Sequence, residues 1–354
     1  MSCNNFFMGF FNELPVHNED EYLRQCFNNF DENKDGGLDL QEFNALAKSL
    51  LTDSKGEPYY LTSSMVSDMF CVFDQNKDGK IDTEEMKIVW YDWIKVIVHP
   101  VSALLVIDVQ NDFISGTLAL RHCPAGHEGE EIVPVINNLL KSVRFESVVY
   151  SVDWHPADHI SFFENFENRK IKHLNSIPSR EVRLFDEVVF DGSPPTKQKL
   201  WPRHCVQNTW GAKLHQDLIL IADNVMIHKG IHSKIDSYSA FRDNQKISET
   251  KLQTELKAKK VTDVYICGLA YDVCVGFTAI DAVEYGYRTV VVEDATRGVC
   301  PKGIAATREK LVSHNCVIVT HDKVQDMVKG LDRRPELAYQ TAMALTKPAL
   351  TNHS

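Results

Sequence analysis

ICGLAYDVCVGFTA (266–279) decides how this chain is read. An apolar run meets Gly268, the chain turns, and Cys274 stands where a helical pattern begins. A cysteine is by default a small buried hydrophobe. One at the junction of a strand and a helix N-terminus is also placed to act as a nucleophile. Similar apolar runs recur at ALLVID (103–108), SVVYSVD (147–153), NVMIHK (224–229), DVYICG (263–268), RTVVVED (288–294) and CVIVT (316–320). Helical patterns fill 130–143, 249–260, 275–286 and 301–313. Near-continuous apolar strands joined by helices predict an α/β fold whose parallel sheet is covered by helices on both faces. Residues 160–215 are less regular and read as an insertion, with DGSPPTKQK (191–199) as a loop.

Ligands of such sheets sit beyond the carboxyl ends of the strands. That rule selects Asp108 after the first run, Asp153 after the second, Lys229 after the third and the GLAYDVC turn after the fourth. Each has an ordinary explanation alone: an N-cap, a solvated cation, a core thiol. Together they bring two acids, a lysine and a cysteine to one edge.

The first hundred residues follow another pattern. DENKDGGLDLQE (31–42) and DQNKDGKIDTEE (74–85) each offer oxygen ligands at loop positions 1, 3, 5, 9 and 12. Position 7 gives a backbone carbonyl, and the last glutamate can bind through both oxygens. The calcium ligands are then Asp31, Asn33, Asp35, Gly37, Asp39 and Glu42, and Asp74, Asn76, Asp78, Lys80, Asp82 and Glu85. Gly36 and Gly79 permit the sharp turn, while Leu38 and Ile81 are expected to pair across the loops. With helical flanks on both sides, these segments resemble an EF-hand pair over roughly 18–97. Sensor, buffer and structural clip all remain open. His99-Pro100 marks the boundary, because a residue before proline is pushed out of helix. The expected division is an all-α calcium-binding EF-hand pair at 1–98, an α/β domain at 99–330, and a C-terminal tail at 331–354 with one more helix, PELAYQTAMAL, before a polar end.

The 354 residues are 44% hydrophobic and 25% charged, a globular composition. A net charge of −11 argues against nucleic acid or an anionic membrane as partner. Nine cysteines with no CxxC pair read as reduced thiols in a cytoplasmic, or also nuclear, protein. The opening FFMGFF lacks a basic n-region, so no secretory signal is expected. GxSxG, Walker and GxGxxG motifs are absent, so no nucleotide cofactor is implied.

LLVIDVQNDF, DWHPADHISF, WPRHCVQNTWGA, KGIHSKIDSYSAF and GLAYDVCVGFTAIDA together resemble the cysteine hydrolases of the isochorismatase-like superfamily, and within it the nicotinamidases. The resemblance spans about 102–322 in family order, and EF-hand pairs precede this domain in some animal nicotinamidases. It implies Cys274 as nucleophile, its pKa lowered by the helix N-terminus and Lys229, with Asp272 as N-cap and Asp108 as the acid–base group. It implies an oxyanion hole from the N–H groups of Ala270 and Cys274, with a cis peptide before Ala270. It also implies a metal, zinc or else iron or manganese, on Asp153, His155 and His204, with His159 as an outer partner or helix cap. Phe113, Trp154 and Tyr238 offer an aromatic wall for a flat ring, with Phe113 and Trp154 chosen as substrate contacts. Gln110 and Asn111 read as holding the turn after the first strand, and Cys205 and Cys267 as core thiols.

The implied reaction turns nicotinamide and water into nicotinic acid and ammonia through a thioester. Pyrazinamide or another small heteroaromatic amide would use the same residues. The isochorismate branch of the superfamily does not carry this metal-ligand set. The competing class is a calcium-responsive binding protein with an inert hydrolase domain. A homo-oligomer is left open. Trp90, Tyr91 and Trp93 either dock the last EF-hand helix on the hydrolase domain or complete the EF-hand core.

Overall fold

The computed structural model describes Phe7 and residues 19–171, 182–192 and 195–346. The rest of the FFMGFF stretch and the polar end beyond residue 346 lie outside the described residues. Helices α1 (Glu19–Phe30), α2 (Leu40–Leu50), α3 (Ser63–Phe73) and α4 (85–98) build the N-terminal module. Each of the first three turns a stripe of Leu, Phe or Met inward, including Phe27, Phe43, Leu46, Met69 and Phe73. Asp39 begins α2 with a capping box, its carboxylate taking the Glu42 N–H while Glu42 reaches back to the Asp39 N–H. Leu38 and Ile81 exchange backbone hydrogen bonds of 2.9 Å each way, the expected pairing of the two loops.

Helix α4 passes through a π-helical stretch at Val89–Ile94. Trp90 and Trp93 are buried there in the module's own core. The Trp93 ring lies 5.4 Å from Phe73 and 5.7 Å from Phe43. Tyr91 instead faces outward and donates to Asp20.

The chain leaves helix at His99 and enters a six-stranded parallel sheet: β1 (Ser102–Ile107), β2 (Ser147–Asp153), β5 (Asn224–Lys229), β6 (Asp263–Leu269), β7 (Arg288–Arg297) and β8 (Val317–Val319). Its order is β5-β2-β1-β6-β7-β8. Helices α5 (Ile132–Ser142), α6 (Leu252–Ala258), α7 (Gly276–Glu284), α8 (Pro301–Ser313) and α9 (His321–Val328) connect or flank the strands. Every β1 residue is buried. Leu104 and Val106 belong to one core, Ala103, Leu105 and Ile107 to the other. Such two-sided burial is why these strands read as unbroken apolar runs.

Two expectations need correction. DGSPPTKQK is not wholly a loop, because Thr196–Lys199 forms strand β4, antiparallel to β3 (Glu187–Phe190). In this separate two-stranded hairpin Gln198 is buried between an exposed Lys197 and a half-buried Lys199, an alternation too short and polar to stand out in the sequence. Nor does the C-terminal stretch stand apart as a tail. Helix α10 (Pro335–Ala344) puts Ala338 and Ala342 into the EF-hand core, and Trp93 Nε1 donates to Ala338 O at 2.9 Å. On its other side Gln340 accepts from the Thr289 N–H of β7. Arg288 of β7 in turn donates to Val96 O of α4. The EF-hand module, α10 and the sheet therefore share one seam.

Candidate active site

The strand order turns around β1, whose neighbours β2 and β6 lead the chain to opposite halves of the sheet. At this switch point the carboxyl ends of adjacent strands splay and leave a crevice. The groups selected from the sequence meet there. Asp153 and Lys229 are register partners at the ends of β2 and β5. Asp108, immediately after β1, has φ 49°, and its Oδ1 accepts from Ser151 Oγ at 2.7 Å. Gly268 lies so close to β1 that a Cβ would stand 2.0 Å from Ile107 O, which explains glycine at that turn. A cis peptide joins Leu269 to Ala270.

Lys229 is the hub. Its Nζ lies 2.8 Å from Asp108 Oδ2, 2.5 Å from Asp153 Oδ1 and 3.2 Å from Cys274 Sγ, and donates to Ser237 O at 3.1 Å. Burial alone would discharge this amine, but Asp108, Asp153 and Cys274 hold it protonated, well above the usual lysine range. Burial also lifts the Asp108 carboxyl above its ordinary range, against the pull of Lys229, and makes it a stronger base.

The thiol corrects the sequence reading. Burial pushes the Cys274 pKa up, and Asp108 and Asp153 add to the rise; Lys229 opposes them without prevailing. Cys274 also lies within a π-helical turn, Tyr271–Val275, ahead of α7 rather than at a regular helix start. Asp272 does not cap that helix. Its carboxylate accepts from the N–H groups of Val299 and Cys300, tying the nucleophile turn to the β7–α8 connection. The site therefore holds a neutral thiol beside a carboxylate base and a lysinium. Deprotonation of Cys274 is left to Asp108.

Adjoining this cluster through Asp153 stands a donor set suited to a metal. Asp153, His155 and His204 are buried, and their donor atoms lie within 4.8 Å of one another. Both Nε2 atoms approach Asp153 Oδ2, at 3.5 and 3.7 Å. The opposite ring nitrogens are held by carbonyls, His155 Nδ1 by Gly230 O at 2.9 Å and His204 Nδ1 by Pro202 O at 2.7 Å. Protons fixed on Nδ1 leave both Nε2 lone pairs free for an ion. Gly230, at φ 62°, permits the close approach, since a Cβ there would come 2.3 Å from the His155 ring. Gln110 clamps Asp153 by donating to its carbonyl and accepting from its N–H, each at 2.8 Å. Asn111 donates to Trp210 O.

His159 stacks on His155 with ring centroids 4.0 Å apart, and its Nδ1 is held by Ser161 Oγ. Its buried Nε2 has no hydrogen-bond partner and lies 4.0 Å from Asp236 Oδ1. His155, His159 and Asp236 form a second, overlapping group of donors.

The cavity between the thiol and the donor set is lined by Phe113, Trp201, Tyr238, Ala270, Val273 and Val299 beside the charged groups. Trp154 does not line it; its ring packs edge-on against His228, 5.0 Å away. Successive strand residues point to opposite faces, so Asp153 and Trp154 diverge as the chain leaves β2. Trp201 and Asp236 do line it, and sequence reasoning missed both. The WPRHC motif held the signal for Trp201. Asp236 sits in an irregular segment after β5, inside the KGIHSKIDSYSAF motif, which held its signal. Cys205 and Cys267 are buried core thiols, as expected.

The comparisons agree with this geometry. Residues 102–323 match the Isochorismatase domain family. The chain belongs to that family. Residues 23–47 and 66–90 match the EF hand family. Within the isochorismatase family, the chain is 41% identical to a nicotinamidase of Acinetobacter baylyi over 202 residues, 57% of this chain and 83% of that one. It is 34% identical to a nicotinamidase of Saccharomyces cerevisiae over 227 residues, 62% of this chain and 99% of that one. Among solved structures it resembles a nicotinamidase pyrazinamidase of Acinetobacter baumanii, with a TM-score of 0.54, 35% identity and coverage of 63% of this chain and 98% of that one. A yeast nicotinamidase bound to the inhibitor nicotinaldehyde follows at a TM-score of 0.51 and 31% identity, covering 62% and 99%. Like the isochorismatase domain that carries it, the site is confined to the α/β part of the chain. Among the described residues no helix is long and apolar enough to cross a membrane.

Proposed function

We propose that the protein is a nicotinamidase, hydrolysing nicotinamide to nicotinic acid and ammonia in NAD salvage. One observation carries the reading: Asp108, Lys229 and Cys274 meet within hydrogen-bonding reach, and a metal donor set joined to them through Asp153 lines the same aromatic-walled cavity. Relatives 34–41% identical that bear the name nicotinamidase support it.

In this reading Asp108 accepts the Cys274 proton as sulfur attacks the amide carbonyl. The new oxyanion takes hydrogen bonds from the N–H groups of Ala270 and Cys274. Lys229 keeps its charge throughout and steadies Asp108 and the sulfur. As the C–N bond breaks, Asp108 returns its proton to the nitrogen, and ammonia leaves a thioester. Water gives a proton to Asp108 and its hydroxide to the acyl carbon; as the C–S bond breaks, Asp108 passes that proton to sulfur, which releases nicotinic acid and restores the thiol. Asp153, His155 and His204 would hold a zinc, iron or manganese ion, whose open positions would orient the ring through its pyridine nitrogen. Phe113, Trp201 and Tyr238 would flank that ring.

The same reading assigns calcium to the two N-terminal loops. Their capped glutamates and clustered carboxylates suit a hard cation. It also takes residues 1–98 as the calcium module and 99–330 as the hydrolase domain, with α10 joining them. A cytoplasmic or nuclear location rests on the cysteine pattern of the sequence.

The test is product identification by mass after incubating the metal-loaded protein with nicotinamide, pyrazinamide and benzamide. Nicotinic acid and ammonia in equal amounts are expected. Turnover of pyrazinamide without nicotinamide would move the assignment to another heteroaromatic amide. Benzamide turned over as fast as nicotinamide would remove the ring nitrogen from the account.

A further inference from the structure

A second cavity, of about 260 Å³, lies against the other wall of the nucleophile turn. It is lined by His127, Tyr271, Glu293, Arg297, Gly298 and Arg308, with Thr296 and Ile304, none of which lines the catalytic cavity. The two cavities nonetheless share a thin partition. Ala270 and Val299 face the catalytic side, and their chain neighbours Tyr271 and Gly298 face this one. The Asp272 carboxylate binds the two halves of the partition together through the Val299 N–H.

Donors outnumber acceptors along its lining, where Glu293 is the one carboxylate. Tyr271 is 95% buried, with its hydroxyl beside the Arg308 guanidinium and no acceptor for its O–H. An acceptor placed there would take the hydroxyl's proton and the guanidinium's free N–H groups together. His127 Nδ1 accepts from the Gly298 N–H at 3.0 Å, which puts the proton of the neutral ring on Nε2 as another donor. Arg308 uses Nη1 on Glu293 Oε2 at 2.5 Å, in a pair whose side chains are 52% and 38% exposed. Such a pair is weak and exchanges readily. Arg297 is turned outward to Glu131 and gives Nη1 to Thr296 O, leaving its charge near the cavity. Two cations and one anion line the space, which favours an acceptor-rich anion over a cation or a neutral ring.

We propose that this cavity binds a small oxyanion, the phosphate or carboxylate group of a metabolite, through Tyr271, His127 and Arg308. The site stands independently of the reaction proposed above. A bound anion would brace residues 271 and 298, each one bond from a wall of the catalytic cavity.

The test is calorimetric titration of the full-length, metal-loaded protein with inorganic phosphate and, separately, with acetate. Binding with a dissociation constant of about 1 mM or tighter is expected for at least one of them. Phosphate alone binding assigns the phosphate class, and acetate alone the carboxylate class. Arg308→Gln should weaken that binding about tenfold and Tyr271→Phe several-fold, in proteins with wild-type melting temperatures. Tyr271→Phe keeps the ring, and Arg308 is half exposed, so folding is retained. The proposal is overturned if neither anion binds. It is equally overturned if binding is unchanged in both variants, which would locate the anion elsewhere.

Discussion

The EF-hand loops and the catalytic cavity are both clusters of carboxylates, but they are built in opposite ways. In the first loop every expected ligand lies within one short stretch, and the hydrogen bonds are local. Glu42 accepts from the Glu32 and Asn33 N–H groups, and Asp31 from those of Asp35 and Gly36. In the cavity, Ser151 and Asp108 are 43 residues apart, Lys229 and Asp153 are 76 apart, and Lys229 and Cys274 are 45 apart. The loops are partly solvated; the cavity's ion cluster is sealed within the sheet. A loop therefore fails one ligand at a time, whereas the cavity fails as a unit.

Removing the hub should produce the largest effect. Lys229→Met strands Asp108 and Asp153 without their shared cation, and breaking a buried pair in this way costs about 3–5 kcal/mol. Urea unfolding should register that loss, and amide hydrolysis should vanish with it. A stability within 1 kcal/mol of wild type would mean that the two carboxylates are not both charged beside Lys229. Asp108→Asn leaves Lys229 its bond to Asp153. Its loss should fall mainly on turnover, by a factor of about 10²–10⁴, with a smaller change in unfolding free energy.

The loops should respond more mildly. Glu42→Gln removes the charge that closes the first loop, and calorimetry should find the affinity of that site for calcium about tenfold weaker. Ammonia release should stay at the wild-type rate. A parallel fall in turnover would show that the two regions are coupled more tightly than their chemistry requires. Trp93→Phe is the smallest change. It deletes the hydrogen bond to Ala338 O at the seam, worth about 1 kcal/mol, and should lower the melting temperature by a few degrees without altering turnover.

The same contrast governs what can be read from the sequence. The calcium loops are legible because spacing alone defines them. The strands are legible because a sheet buried on both faces forces unbroken apolar runs, and the rule that ligands gather at strand ends then brings Asp108, Asp153, Lys229 and Cys274 together. Burial, by contrast, leaves no mark in the motif. The elevated pKa of the Cys274 thiol follows first from its burial, whereas the neighbouring Lys229 suggested the reverse. Trp154 and Trp201 sit in equally persuasive motifs, and only the direction of the chain after β2 turns one away from the cavity. Asp236 arrives on an irregular segment, and Asp272 serves a loop distant in the chain; periodicity describes neither. Helix α10 was legible as a helix, but its seat between the EF-hand core and β7 depends on surfaces that the sequence does not juxtapose.

The most direct test of the account compares ammonia release from nicotinamide by wild type, Cys274→Ala and Cys267→Ala, each metal-loaded and confirmed folded. Cys267 is the control: a thiol equally buried on β6, bonded to Leu105 O and outside the cavity. The account predicts release by wild type and Cys267→Ala and none above background by Cys274→Ala. Release by Cys274→Ala at the wild-type rate would contradict it, because the bond-breaking group would then lie outside the Asp108–Lys229–Cys274 cluster.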